Sequence, residues 1–312
     1  MISELNQLMK TNYLNLIFLT LLAVCITDYA HAQAPKRKKK NSYNSRKPSD
    51  NPFLKSQWWL GFRAGANVTD AVPDQRFSAF SPINYAEDDL QKEYESFNLL
   101  GGHAGIEITY FHHGFSFSFQ PNYRRQRFEY SNDFVWEGSS VNADVDNTVE
   151  LKYVQDHQLD YIELPFFIKY DIIRASQWRP FVQIGAYYGI LTSANKSLEV
   201  SGTDAASGAA SPFENESVII GAEDLFINSS VGIAGGIGLN YDVNNVRIVF
   251  DITYRYGLNN ITDTENRFSE NLLSGVGDAL DDLELRNIAA SFGILFPLRY
   301  VTKNSKTFDA IN

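Results

Sequence analysis

A possible acid–base pair stands out among the side chains that could do chemistry. His103 and Glu107 are four positions apart, so in an extended strand both side chains point to the same face. An imidazole and a carboxylate on one face could transfer protons in hydrolysis or acyl transfer. The sequence places no serine beside them as a nucleophile, however. We therefore predict no catalytic residues and no enzymatic activity, and keep a small lipid-modifying enzyme as an alternative.

Metal and cofactor motifs are incomplete throughout the chain. His112 and His113 are adjacent in what reads as a tight turn, where two imidazoles are usually solvated. The stretch from Asp144 to Asn147 has part of a calcium-loop rhythm but lacks the turn glycine and the terminal bidentate glutamate. The glycine-rich run VGIAGGIGLNY at 231–241 is not followed by a helix, which a phosphate-binding loop requires. We predict no metal site and no cofactor.

The elements that carry these residues are strands. In the run FSFSFQPNY at 115–123, Phe115, Phe117 and Phe119 alternate with polar residues, which is the period of a strand with one apolar and one polar face. The same period recurs in eight segments, near 58–69, 99–111, 115–130, 153–170, 180–193, 225–241, 246–258 and 285–300. No comparable apolar run of about 18 residues follows the N-terminal region, which argues against a helical membrane protein.

The connections between the eight segments alternate in length. Long polar connections lie near 70–98, 131–152, 194–224 and 259–284, and short ones near 112–114, 173–179 and 242–245. This sorting is typical of bacterial outer-membrane barrels, in which short turns face the periplasm and long loops face outward. The fold class predicted is all-β: an eight-stranded antiparallel up-and-down transmembrane β-barrel with four long extracellular loops and three short periplasmic turns.

The apolar faces of the segments are free of charge, as contact with lipid requires. Tyrosines fall at segment ends, at the depth where aromatic girdles meet the membrane interface: Tyr110, Tyr170, Tyr241 and Tyr256. We predict that hydrocarbon covers this face and that the protein resides in the outer membrane, in contact with its lipid and lipopolysaccharide.

The opposite faces carry charges. An eight-stranded barrel encloses a space only wide enough for side chains, so charges inside it must pair with one another. We predict a lumen salt-bridge network of Arg63, Glu107, Arg124, Glu163, Lys169, Arg247, Asp251 and Arg255. Inward glycines such as Gly232 and Gly238 are expected to make room for these long side chains.

The segments outside the barrel are simpler. Lys10, the apolar run 14–26 and the motif Ala30-His31-Ala32 predict a cleaved signal peptide at 1–32. Cys25 leaves a lipoprotein signal open as an alternative. Residues 33–56 hold eight Lys or Arg, seven of them from Lys36 to Lys47, and form a basic flexible periplasmic linker. This linker could touch anionic headgroups or cell-wall material, whereas export argues against nucleic acid as a partner. The barrel domain spans 57–300 and a C-terminal tail 301–312, and the whole chain carries a net charge of −10.

Three stretches resemble a known family. WWLGFRAGANVTD at 58–70, LDYIELPFFIKYDI at 159–172 and RPFVQIGAYYGIL at 179–191 are similar to the PorT-like outer-membrane β-barrel family of Bacteroidetes. The resemblance covers most of 57–300 and is most specific in Tyr161-Ile162-Glu163-Leu164-Pro165. It implies an integral outer-membrane barrel in a family of mostly unassigned function, whose namesake is needed for type IX protein secretion.

These observations predict a role in the cell envelope. The chain is expected to act as a non-enzymatic scaffold or accessory factor through its long loops or linker, with envelope or secretion-machinery proteins as partners. The alternative is a ligand-binding or adhesive barrel at the cell surface.

Overall fold

The computed structural model describes residues 56–77, 92–137, 148–173, 177–205, 210–215, 217–243, 246–268 and 279–298. The predicted signal peptide, the linker except for its last residue, and the C-terminal tail lie outside these residues. Within the described ranges, no helix is both long enough and apolar enough to cross a membrane.

The described chain consists almost entirely of antiparallel strands. They are β1 (Gln57–Gln75), β2 (Glu93–Glu95), β3 (Leu100–His112), β4 (Phe115–Phe119), β5 (Asn122–Glu137), β6 (Thr148–Asp171), β7 (Trp178–Asp204), β8 (Ser211–Glu214), β9 (Val218–Gly221), β10 (Ser229–Val243), β11 (Val246–Gly257) and β12 (Asp282–Pro297). A short 3₁₀ turn spans Glu223–Leu225, so the segment predicted to begin at 225 begins as a strand only at Ser229.

The strands close into a ring. β1 pairs with β3 on one side and with β12 on the other, and the circuit continues through β6, β7, β10 and β11. β4 and β5 both lie between β3 and β6 and share one position, interrupted at Pro121, which has no N–H to donate to the ladder. The described strands therefore give a ring of eight positions, and the predicted all-β antiparallel barrel is confirmed.

The outer surface of the ring is apolar. Phe115, Phe117, Phe119 and Tyr123 are all exposed while Ser116, Ser118, Gln120 and Asn122 are buried, as the alternation predicted. The same exposure recurs around the ring at Leu60, Phe62, Ile106, Leu164, Phe166, Ile168, Val182, Ile184, Ile233, Ile237, Phe250, Ile252, Phe292 and Ile294. We call this band of side chains the apolar belt.

The two ends of the ring differ. At one end, the short-turn rim, short connections join β3 to β4, β6 to β7 and β10 to β11. Three aromatic pairs line this rim, with ring centroids 4.2–5.0 Å apart: Trp58–Tyr110, Phe115–Tyr170 and Trp178–Tyr241. The opposite end carries the long connections and is called the long-loop rim.

Three strands continue well past the apolar belt at the long-loop rim. β5 and β6 remain paired from Arg125↔Asp160 to Glu137↔Thr148, and β6 and β7 remain paired as far as Val149↔Asp204. We call residues 125–137, 148–160 and 193–204 the projecting sheet. The predicted loops 131–152 and 194–224 are therefore wrong in extent, because both begin or end inside these strands.

The projecting sheet is widened and redirected by short elements. β2 pairs with β5, while β8 and β9 pair with the far edge of β7. Thr192 is an extra residue between the pairs Asp160↔Ser193 and Tyr161↔Leu191, and its hydroxyl donates to the Asp160 carbonyl at 2.8 Å. Bulges of this kind bend a strand at the rim of a barrel, and this one marks the point where the sheet leaves the ring.

Apolar clusters lie near both ends of the barrel. Trp59, Phe111, Phe181, Val249 and Leu295 form one cluster near the short-turn rim. A larger cluster lies where the projecting sheet meets the long loops: Ala71, Phe128, Tyr130, Leu159, Tyr161, Ala194, Ala222, Leu225, Phe226, Ile261, Leu280, Leu283 and Leu285. The charged residues of the interior lie between these two clusters and beside the first of them.

Candidate functional site: the charged interior

A central layer of charge is organised around Arg63 of β1. Its Nη1 donates to Glu107 Oε2 at 2.7 Å and its Nη2 donates to Asp251 Oδ2 at 2.6 Å. Lys169 Nζ donates to the other oxygen of Glu107 at 2.7 Å. These side chains are at most 5% exposed. Two cations thus face two carboxylates, and the charge in this layer is balanced.

Neutral side chains satisfy the remaining oxygens of the central layer. The hydroxyls of Thr109 and Ser118 donate to Glu107 Oε1 at 2.8 and 2.9 Å. Thr253 donates to Asp251 Oδ1 at 3.1 Å. Buried ion pairs stabilise a fold only when such additional hydrogen bonds are present. The central layer has these hydrogen bonds and is therefore suited to stabilising the barrel.

An upper layer, nearer the long-loop rim, contains a shared carboxylate. Glu163 Oε2 accepts both from Arg124 Nε at 2.7 Å and from Arg255 Nη1 at 2.5 Å. The Arg255 guanidinium also lies over the ring of Tyr187, with 5.1 Å between its carbon and the ring centroid. One carboxylate therefore serves two guanidinium groups.

A lower layer lies next to the aromatic cluster at the short-turn rim. Arg247 Nε donates to Asp242 at 2.8 Å, and the Arg247 guanidinium lies 4.2 Å from the ring centroid of Trp59. Arg179 pairs with Asp242 and, at 3.4 Å, with Asp171. The flat guanidinium can stack on an aromatic ring and bind a carboxylate at the same time, which suits this mixed environment.

The structure divides the eight residues of the predicted network among these layers. Arg63, Glu107, Lys169 and Asp251 lie in the central layer and Arg124, Glu163 and Arg255 in the upper one, while Arg247 lies apart in the lower one. Sequence reasoning missed Asp171, Arg179 and Asp242. Asp171 and Asp242 each lie one residue beyond a predicted strand end, on the side that the alternation assigns to the interior. The sequence could therefore have identified them.

His103 and Glu107 do not form the acid–base pair considered from the sequence. His103 Nε2 lies 2.9 Å from the Ser291 hydroxyl, and its ring fills the space beside Gly65, where a Cβ would lie only 2.6 Å from the imidazole. Glu107 instead binds the two cations of the central layer. A proton transfer between the two residues has no direct path.

Gly232 and Gly238 make room for aromatic rings. A Cβ at Gly232 would lie 2.4 Å from the Tyr187 ring, and one at Gly238 would lie 2.3 Å from the Phe181 ring. The prediction that these two glycines accommodate charged side chains is therefore wrong. Large inward rings on β7 need neighbours without side chains on β10.

The metal candidates are not assembled into a site. Among the residues that the structure describes, no three His, Cys, Asp or Glu side chains come together in a way that could hold a metal ion. His112 Nδ1 lies 2.7 Å from the Ser56 hydroxyl, and the His112 and His113 rings meet edge to face. The stretch from Asp144 to Asn147 lies outside the described residues.

A second polar cluster, the loop hub, joins two long connections at the long-loop rim. Asp281 Oδ1 accepts from Lys92 Nζ at 2.7 Å and from the Phe77 backbone N–H at 2.8 Å, and its Oδ2 accepts from the Tyr94 hydroxyl at 2.9 Å. Asp281 is almost fully buried. The residues involved lie in connections without periodicity, so no sequence signal could have brought them together.

Comparison with known proteins gives one family match. The sequence model of the outer membrane protein beta-barrel domain family matches residues 32–263. No curated protein matches the chain at a significant level.

Several solved barrels are similar at low identity. Neisserial surface protein A is 14% identical over 77% of this chain and 96% of its own, with a TM-score of 0.25. Ail of Yersinia pestis, crystallised with the heparin analogue sucrose octasulfate, is 12% identical over 77% and 99%, with a TM-score of 0.25. The Escherichia coli outer-membrane protease OmpT is 8% identical over 78% and 98%, with a TM-score of 0.28. None of these values carries an inference about ligands or activity.

The likeness to OmpT nevertheless corrects one prediction. The sequence was interpreted as that of a protein without enzymatic activity. That prediction is wrong, because the barrels similar to this one include a protease. A barrel architecture therefore does not exclude catalysis.

Proposed function

Because the chain belongs to the outer membrane protein β-barrel domain family and is an outer-membrane protein, we propose that it anchors a β-sheet at the cell surface as a scaffold for other envelope components. The observation that carries this proposal is the unbroken pairing of β5 with β6 from the apolar belt to Glu137↔Thr148. At about 3.3 Å per residue, the projecting sheet reaches roughly 40 Å beyond the belt.

The orientation follows from the two rims. In bacterial outer-membrane barrels the short turns face the periplasm and the long connections face outward. The short-turn rim also carries the three aromatic pairs, which suit a membrane interface because one end of each Trp or Tyr ring is apolar and the other can hydrogen-bond. The projecting sheet is then exposed to the medium.

Single cysteines test this orientation. The only cysteine of the chain, Cys25, lies within the predicted signal peptide, so the exported protein offers a thiol-free background. Lys152→Cys on the projecting sheet should react with a membrane-impermeant maleimide on intact cells. Ile172→Cys at the short-turn rim should react only after the outer membrane is permeabilised. The reverse pattern would reject the proposal.

The interior supports an anchor and not a channel. The charged layers and the two apolar clusters fill the described length of the barrel with buried side chains. The purified protein in planar bilayers should therefore show no steady conductance. Nanosiemens-scale steps would show that the interior is open and would contradict the anchor proposal.

The partner is sought by photo-crosslinking. A photoreactive residue in place of Lys152 should capture a specific envelope protein on living cells, whereas one in place of Ile252, which lies in the apolar belt, should capture no protein. Equal capture at both positions, or capture at neither, would argue against a scaffold.

Type IX protein secretion is the process in which we propose that the scaffold acts, and the sequence resemblance to PorT-like barrels supports it. Deletion of the gene should then reduce secretion of type IX cargo, and restoring the protein without residues 126–158 should not rescue it. Normal secretion in the deletion strain would reject this role while leaving the anchor proposal intact.

Adhesion or ligand binding at the surface is the second candidate. Ile219 on β9 is 75% exposed and its neighbour Val218 is also exposed, at the edge of the projecting sheet. Exposed apolar side chains at a sheet edge favour contact with another molecule. Replacing both with serine should reduce binding of cells to surfaces under this alternative and leave envelope integrity unchanged.

A further inference from the structure

The upper layer of the interior carries an unbalanced positive charge. Glu163 is the carboxylate that faces both Arg124 and Arg255, whereas the carboxylates of the central layer are matched by Arg63 and Lys169. The nearby His103 binds Ser291 and supplies no negative charge. Guanidinium groups stay protonated in proteins, so one positive charge remains without a counterion among the described residues of this layer.

A small space lies beside this excess charge. Its lining includes Arg63, His103, Arg124 and Arg255, polar neighbours such as Asn122 and Ser291, and one carboxylate, Asp251, which is paired with Arg63. The space leaves about 10 Å³ for the centre of a water-sized sphere. That volume admits one water molecule or one small ion and nothing larger.

Polar atoms without a partner line the same space. Arg255 Nε and His103 Nδ1 are buried and have no hydrogen-bond partner, although Arg255 is only 4% exposed and His103 6%. A buried donor left without a hydrogen-bond partner is destabilising, and more so when it is charged. An acceptor placed in the cavity would satisfy the Arg255 donor, and His103 can present its Nδ1 as a donor in one tautomer.

We propose that the barrel encloses one small monovalent anion of the halide class, held in this cavity by Arg124 and Arg255 with His103 beside it. A water molecule would fill the space and satisfy the donors but would leave the charge unbalanced. A net charge in a low-dielectric interior is destabilising, and an anion removes this effect. The proposal does not depend on what the projecting sheet binds.

Refolding at constant ionic strength tests the proposal. To give each anion access to the interior, the protein is unfolded in urea and refolded into detergent with sodium gluconate, chloride or bromide. The midpoint of thermal unfolding should rise in proportion to the logarithm of chloride concentration above the dissociation constant and should stay flat in gluconate. Identical curves in chloride and gluconate would overturn the proposal.

A matched pair of variants assigns the effect to the cavity. Arg255→Gln removes the excess charge, so its unfolding midpoint should no longer depend on chloride. Arg127→Gln removes an arginine of the projecting sheet that pairs with Asp156 outside the barrel, and it should keep the full chloride dependence. Loss of the dependence in both variants would assign it to the surface and overturn the proposal.

Crystals of the wild-type protein refolded in bromide give a test that needs no variant. An anomalous peak should lie between Arg124, Arg255 and His103. A cavity without an anomalous peak, occupied by water or empty, would overturn the proposal even if Arg255→Gln failed to fold.

Discussion

The guanidinium of Arg63 lies 2.6 Å from a carboxylate oxygen of Asp251, a residue 188 positions further along the chain. This contact joins β1 to β11 across the interior. Asp251→Asn should destabilise the barrel by about 3 kcal/mol, because breaking a buried pair leaves charge uncompensated. Urea titration of the protein folded into lipid vesicles measures the change.

Asp156→Asn is the matched control for that variant, since Asp156 pairs with Arg127 on the partly exposed projecting sheet. Exposed pairs contribute about 0 to 1 kcal/mol. Equal losses of stability in the two variants would show that the interior pair contributes no more to stability than the pair on the projecting sheet.

The depth of the apolar belt can be probed with a single charge. Ile252 lies midway along β11, opposite Ile237 and Ala290, and faces outward. Ile252→Arg should cost about 2 to 4 kcal/mol, the range for a cation at the bilayer midplane. Phe117→Arg should cost less, because Phe117 lies opposite Tyr110 of the short-turn rim and an arginine there can reach the interface. The opposite ranking in vesicle unfolding experiments would place the membrane elsewhere on the barrel.

The loop hub should hold the long connections without supporting the barrel. Asp281→Asn leaves Lys92 buried beside a neutral group. The free energy needed to open the long connections should fall by about 3 kcal/mol, which raises the open population roughly a hundredfold. Faster trypsin cleavage at Arg76 and Lys92, with an unchanged barrel unfolding midpoint, is the expected result. Asp263→Asn, which removes contacts only within its own turn, should leave cleavage unchanged.

The outer face of the projecting sheet should show a pH dependence through Glu129. Burial and the nearby charges of Glu95, Asp156 and Glu199 raise the pKa of Glu129 above its ordinary value. A raised carboxyl pKa means that the folded state binds the proton more tightly than the unfolded state does. The stabilising contribution is therefore present below about pH 4.3 and is lost as the pH rises through the folded-state pKa.

Glu129→Gln should accordingly raise the unfolding midpoint of the projecting sheet at pH 7 to 8 and leave it unchanged near pH 4. Hydrogen exchange at the amides of β5 and β6 reports this local stability. Glu150→Gln removes an exposed charge from the same sheet and serves as the control. A gain that persists unchanged at pH 4 would contradict the electrostatic explanation.

The barrel wall was predictable because lipid imposes a strict alternation. Phe115, Phe117, Phe119 and Tyr123 all face outward, so the period of two appears directly in the sequence. The same alternation identifies Arg63 and Asp251 as inward residues. It does not say which of them meet, because that depends on the stagger between strands, which a single sequence does not contain.

The predicted segments 115–130 and 153–170 include the first part of the projecting sheet, but its outer part was not predictable because its outer face lacks the apolar residues of the belt. Ser193, Asn195 and Ser197 lie on one side of β7 and Ala194, Lys196 and Leu198 on the other, so polar residues occur on both faces and the period is lost. Such a segment reads as a loop. Only the pairing with β6 and β9 shows that it is a strand.

The continuous ladder of β5 and β6 fixes the length of the projecting sheet. Hydrogen-bonded pairs run from the ring to Glu137↔Thr148 with no flexible joint between them, so any molecule held at the tip stands at a height set by strand length alone. Removing two residues from each strand would lower that molecule by about 7 Å and keep every side chain on its original face.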